Sequence, residues 1–166
     1  METTTDDIDR LIAAWRIARP DLDPTPLELV GRVIVLAQHL ERSVNAALSE
    51  HELALGQFDI LATLRRHGTK GGLTPGALLE SVVLSSGGMT ARLQRLEDDG
   101  LVKRLPDPSD RRGVIVELTA KGRRVIDAAT ATRFQEAERS LPKLSNGEQS
   151  ELANLLRRWL THLEKK

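Results

Sequence analysis

Residues 74–118 read TPGALLESVVLSSGGMTARLQRLEDDGLVKRLPDPSDRRGVIVEL, and the order of signals in that stretch decides the fold. Thr74-Pro75 opens a helix. A Thr side chain accepts from the unpaired amides of a first turn, and Pro fits the first helical position because its missing N–H has no partner there anyway. This helix is predicted to run to Ser81. Ser85 is predicted to cap a second helix that continues to Asp98 and stops at Gly100, a residue type suited to ending helices. Two helices joined by a short turn make a helix-turn-helix. After Gly100 the periodicity changes. Leu101–Leu105 and Val114–Leu118 are short apolar or β-branched runs, and the PDPSDRRG between them is dense in turn formers, so the pair reads as a β-hairpin with a charged tip.

Working outward, Asp6 to Ala18 reads as a short helix with Ile8, Leu11, Ile12 and Trp15 on one face, ended by Arg19-Pro20. A longer helix is predicted over 27–49, with Leu29, Val33, Leu36, Leu40, Val44 and Leu48 recurring at three- and four-residue spacing. It is longer than a small core needs, so part of its apolar face is expected to meet a partner subunit. Gly56 to Arg66 reads as a third helix with Phe58, Leu61, Ala62 and Leu64 on its apolar face, and His67–Gly72 as a loop. On the C-terminal side Thr119 caps a helix to about residue 140, Pro142 breaks it, and Ser145-x-x-Glu148 is a capping box for a last helix to about Leu163. Helix-turn-helix, hairpin, helix is the order of a winged helix. The predicted class is therefore mainly α with a small β-hairpin wing, a winged helix-turn-helix flanked by N- and C-terminal dimerisation helices. The expected division is 1–50, 51–120 and 121–166.

Composition narrows the function. The chain of 166 residues has no Cys, which excludes disulfides, thiolate zinc sites and thiol redox sensing. The acidic start METTTDDIDR is not a signal peptide and no apolar run is long enough to span a bilayer, so a cytoplasmic location is expected. Net charge is zero, but it is unevenly spread. Residues 1–30 hold seven acids and three bases, whereas 103–124 hold seven bases and three acids. Such a basic run is a solvated face or a local attractor for a polyanion. Enzyme signatures fail on inspection. His51-Glu52 begins an HExxH zinc motif, but Leu55 stands where its second His belongs. No GxSxG occurs, and neither Gly71-Gly72 nor Gly87-Gly88 leads into GK[ST]. No cofactor is implied, and no ligand spacing points to a metal.

Thr74-Pro75, Leu84-Ser85, Thr90, Leu93, Arg95-Leu96-Glu97, Gly100-Leu101-Val102, Arg104, Asp107, Asp110-Arg111-Arg112, Val116, Leu118-Thr119 and Gly122 together resemble MarR-type transcriptional regulators over about 55–160. The most specific part is RLExxGLVxR…DxxDRR…LTxxG. The resemblance implies a homodimeric regulator, usually a repressor, on a palindromic operator. Its recognition helix would enter the major groove by an N-terminal turn of Ser85, Ser86, Gly87 and Gly88, small enough for close backbone approach and able to offer N–H groups to a phosphate. Thr74, Thr90, Ala91, Gln94 and Arg95 complete this surface. Gln94 suits an adenine edge, and Arg95 takes a phosphate by family analogy. The same pattern implies that Arg111 reaches into the minor groove while Arg112 pairs with Asp110. Two copies are needed because one short helix and one wing fall short of the roughly nanomolar affinity of specific sites. Stripes at Ile126, Ala129, Phe134, Leu152, Leu155, Leu156, Trp159 and Leu163 are expected to supply the dimer surface.

Two residues hint at an effector. Trp15 is either a packing anchor or part of a ligand wall. Asp59 sits inside an apolar helix and needs a cation or good hydrogen bonds if buried; Arg92 and Arg104 are candidates. Trp15, Asp59, Arg92 and Arg104, with the added N-terminal helix, resemble the urate-responsive subgroup of this family. That implies an anionic purine that disrupts an Asp–Arg pairing and releases DNA. Other phenolic or carboxylate ligands, a metal, or ligand-independent DNA binding are the alternatives.

Overall fold

The computed structural model describes residues 5–68, 72–82, 88–108, 110 and 112–165. The chain runs α1 (Asp7–Ala18), α2 (Leu27–Leu48), a single 3-10 turn (Ser49–His51), α3 (Leu55–His67), α4 (Pro75–Ser81), α5 (Met89–Asp98), β1 (Val102–Pro106), β2 (Val114–Leu118), α6 (Ala120–Ser140) and α7 (Asn146–Glu164). The predicted winged helix forms. β1 and β2 pair antiparallel with Val102 opposite Leu118 and Pro106 opposite Val114. Leu73 adds a bridge on the other side of β2, donating to Val116 O at 3.1 Å and accepting from Val116 N–H at 2.8 Å.

The core is built on α3. Every residue from Gly56 to Leu64 is buried, rather than the single face its periodicity suggested, because α2, α4, α5, α6 and β2 all pack around it. Leu48, Ile60, Leu61, Leu78, Leu96, Val116 and Ile126 are wholly enclosed. With almost no aromatics in the chain, this core is made of branched aliphatic side chains. Ile126 and Ala129 belong to it, at 0% exposure, which corrects their assignment to a partner-facing stripe. α6 packs on both α2 and α3 and turns these two residues inward.

Local signals account for the helix ends. Thr74 Oγ1 accepts from Ala77 N–H at 3.2 Å, Thr119 caps α6, and Ser145 with Glu148 forms the capping box of α7. One start is corrected. α5 begins at Met89, not Ser85, and Gly88 before it has φ +71°, in the left-handed region. A residue there lies outside the helix, and two adjacent glycines would cost about 1 kcal/mol each in a helical turn.

On the other side, α1 lies against α2. Arg32 Nε and Nη2 bridge both oxygens of Asp6 at 2.8 and 3.1 Å, Nη2 also reaches Asp9 Oδ1 at 2.6 Å, and Nη1 donates to Glu28 O at 2.9 Å. Ile8 and Ile12 are buried beneath this clamp. Between α2 and α6, burial pushes the Glu136 carboxyl up, but Ser140 Oγ at 2.5 Å, Ser43 and the Arg133 guanidinium outweigh it and hold it below its usual range.

A large apolar surface is left over. On α2, Leu29, Val33, Ile34, Leu36 and Leu40 are 37–67% exposed, and on α7 Leu152, Leu155, Leu156, Leu160 and Leu163 are 44–57% exposed. No residue of α7 is buried. A groove of about 600 Å³ between the two helices is walled by Leu29, Val33, Leu36, Leu155 and Trp159.

The clamp on α1 is electrostatic and hydrogen-bonded, so it depends on pH. Arg32, with the Asp9 amide, holds the Asp6 carboxyl below its usual value. A depressed folded pKa means stabilisation that is present above the unfolded value near 3.8 and lost as pH falls further. Arg32→Ala should speed amide exchange in α1 at neutral pH while leaving α3 protected. Acidification below about pH 4 should produce the same local loosening in the native protein.

Candidate DNA interface and ligand site

α5 divides its residues cleanly. Met89, Leu93 and Leu96, at i, i+4 and i+7, are buried, which turns Thr90, Ala91, Gln94 and Arg95 outward as one exposed row continuing from Gly88. The Gln94 side-chain amide is steadied by donating to Asp98 Oδ1 at 2.9 Å. Thr74 lies half-buried at the start of α4, its hydroxyl committed to the cap. Of the expected recognition turn, Ser85, Ser86 and Gly87 lie outside the described residues.

The hairpin tip is closed by its own backbone and by Asp110. Asp107 N–H donates to Gly113 O at 3.0 Å and Gly113 N–H to Asp110 O at 2.9 Å. Asp110 Oδ1 accepts from the backbone N–H of Arg112 at 2.9 Å, so this carboxylate shapes the turn through the main chain. Arg112 is exposed; Arg111 lies outside the described residues. Along the strands, Lys103 Nζ is 3.3 Å from Glu117 Oε2.

The four ligand candidates fall in three places. Asp59 is buried in α3 at 4% exposure. Arg92, on the inner flank of α5, lays its guanidinium on Gly56, where an added Cβ would stand 2.6 Å from Nε. Gly56 and Asp59 are three residues apart on one helix face, so Arg92 and Asp59 belong to the same junction of α3 and α5. Arg104, the other cation considered for Asp59, has its Nε 3.2 Å from Glu97 Oε2. Trp15 is on α1, which packs on α2, and is 47% exposed. Sequence reasoning missed Gln57 at the junction. Its Oε1 accepts from Ala54 N–H at 3.1 Å, while its Nε2 is buried without a hydrogen-bond partner among the described residues. A Gln at the third position of a helix is a reverse-cap signal, but nothing in the sequence marks its second polar atom as enclosed.

Residues 53–114 match the MarR family pattern. The HTH-type transcriptional regulator PecS of Dickeya dadantii is 31% identical over 157 residues, covering 95% of each chain. The chain belongs to the MarR family. Among solved structures, a mutant MarR from E. coli complexed with operator DNA is 28% identical with a TM-score of 0.70, covering 94% of this chain and 99% of that one. Bordetella bronchiseptica BpsR, whose DNA binding is regulated by 6-hydroxynicotinic acid, has the same fold at 23% identity and a TM-score of 0.70, over 80% of this chain and 94% of that one. This MarR-family chain is thus a winged-helix transcriptional regulator by descent and by fold. The exposed row on α5 and the turn at the hairpin tip are its candidate surfaces for a duplex.

The Arg104–Glu97 pair is part-exposed, and such pairs contribute under about 1 kcal/mol. Arg104→Ala should therefore lower the melting temperature by no more than a few degrees. A larger fall would show that Arg104 is a structural strut rather than a residue available for function.

Proposed function

We propose that this protein is an operator-binding repressor that acts as a homodimer and leaves DNA when a small anionic aromatic molecule binds near the α3–α5 junction. The observation that carries the reading is the α5 row of Thr90, Ala91, Gln94 and Arg95, which is exposed and unobstructed while the opposite face of the helix is fixed in the core. A ten-residue helix held this way presents short side chains for major-groove approach, an amide suited to an adenine edge and a guanidinium suited to a phosphate. The wing, with its two arginines at the tip, adds the minor-groove contact.

The dimer follows from the leftover apolar surface. Ten aliphatic side chains on α2 and α7 stand about half exposed. Covering the exposed half of each is worth about 1 kcal/mol, so about 10 kcal/mol per protomer and about 20 kcal/mol for the pair, above the roughly 4–15 kcal/mol cost of association. The first 50 residues and the segment after 120 would supply this interface and the middle would bind DNA. Leu156→Glu places a charge in that surface and should convert a dimer to a monomer in sedimentation. The core, to which α7 contributes no buried residue, should stay folded.

For the effector, what supports the reading is the junction itself. A buried carboxylate at Asp59 and the Arg92 guanidinium share the seam between α5 and the core, and the unpartnered Nε2 of Gln57 is buried on the same helix. An anion accepting from Arg92 and Gln57 would compete with Asp59 for the cation, and the recognition helix would move as a result. Urate is the first compound to test, with phenolic or carboxylate aromatics as alternatives; Trp15 and Arg104 lie apart from the junction in the protomer and are tested as separate contributors.

The test is an anisotropy titration on the DNA upstream of the protein's own coding sequence. Arg111→Ala should weaken binding broadly and reduce the slope of log K against log salt by about one. Urate should weaken wild-type binding, and Trp15→Ala or Arg92→Ala should blunt that response. No change in DNA affinity or melting temperature at millimolar urate would eliminate that ligand, and no binding to the upstream DNA would overturn the operator reading.

A further inference from the structure

The far end of α5 is joined to α6 by an unusually dense set of hydrogen bonds. A helix leaves its last carbonyls without helical donors. α5 closes its own, with Asp99 N–H donating to Arg95 O, Gly100 N–H to Glu97 O and Leu101 N–H to Leu96 O, and the carbonyls of these three following residues are in turn met by the cap and first turn of α6. Lys121 Nζ donates to Asp99 O at 2.7 Å. Thr119 Oγ1 donates to Gly100 O at 2.7 Å, with Leu101 O at 3.3 Å, and Thr119 N–H donates to Leu101 O at 3.0 Å. The same hydroxyl accepts from Gly122 N–H at 2.9 Å, so one oxygen caps α6 and ties it to the turn that follows α5. Gly122 is buried against the joint. A Cβ there would stand 1.9 Å from Leu101 O, so the two backbones approach more closely than any side chain permits.

We infer that Thr119, with Lys121 and Gly122, sets the angle at which α5 meets DNA by locking the Asp99–Leu101 turn that ends that helix to the start of α6. These are positioning residues and not DNA contacts. The inference rests on α5 being the recognition helix. A ten-residue helix is about 15 Å long, so a tilt of roughly 10° about its C-terminal end moves its N-terminus by about 2–3 Å. Hydrogen bonds to base edges tolerate only a few tenths of an ångström. α6 then runs from this joint to Ser140, beside α2, so a displacement of its far end reaches α5 through the three-residue turn that the joint holds.

The experiment titrates an operator fragment with the full-length wild type, Thr119→Ser, Thr119→Asp and Lys121→Met, recording affinity, salt slope and melting temperature together. Ser keeps both donor and acceptor and should bind as the wild type does. Asp is as good a helix cap as Ser or Thr but cannot donate to Gly100 O. Thr119→Asp should melt within a few degrees of wild type yet bind about tenfold more weakly, with the salt slope unchanged. Lys121→Met leaves the cap intact and should cost about threefold, again at constant slope, which keeps the claim testable if the Asp variant fails to fold. Wild-type affinity in both Thr119→Asp and Lys121→Met overturns the lock. A slope reduced by about one in Lys121→Met makes that lysine a phosphate contact and overturns its place in the lock. A wild type that binds no operator fragment overturns the recognition-helix reading and this inference with it, whereas loss confined to the variants supports the lock.

Discussion

The structure depends on the complete enclosure of α3. A helix buried on all sides has no freedom to choose a face, so its neighbours must conform to it, and five elements do. α5 is pinned through Leu93 and Leu96, the hairpin through Val116, and α6 through Ile126. Close-packed interiors transmit displacement instead of absorbing it. Asp59, a polar group inside that helix, lies where α3 meets α5.

The protein spends its apolar residues in two separate ways. One set closes the winged helix and leaves almost nothing exposed there. The other, along α2 and α7, covers nothing within the protomer. Patches of that extent are rare on proteins that stay single. The division follows the chain: the winged helix is central in sequence, and the outward-facing apolar helices come from both ends.

Much of this was legible in the sequence because the signals were local. Thr74-Pro75, Gly100, Thr119 and Ser145-x-x-Glu148 each state a helix boundary through one or two hydrogen bonds, and each was found where expected. Ser85 misled because a good cap residue was weighed without the two glycines that follow it. Ile126 and Ala129 misled for a different reason. Helical periodicity says which residues share a face, but not whether that face turns inward or toward a partner. Legibility failed most at contacts between distant segments. That Gly56 makes room for Arg92, that Arg104 turns to Glu97, and that Gly122 admits the Leu101 carbonyl are facts of three-dimensional approach, carried by residues whose types alone announce nothing.

The scarcity of aromatics has a practical corollary. The chain has no Tyr and only two Trp, and both indoles lie outside the close-packed interior, Trp15 on the added first helix and Trp159 in the groove of α7. Light absorbed at the red edge of the protein spectrum is thus taken up at those two outlying places and nowhere in between. The protein thus carries a built-in pair of optical probes, silent about the winged helix itself, one reporting on α1 and the other on the groove beside α7.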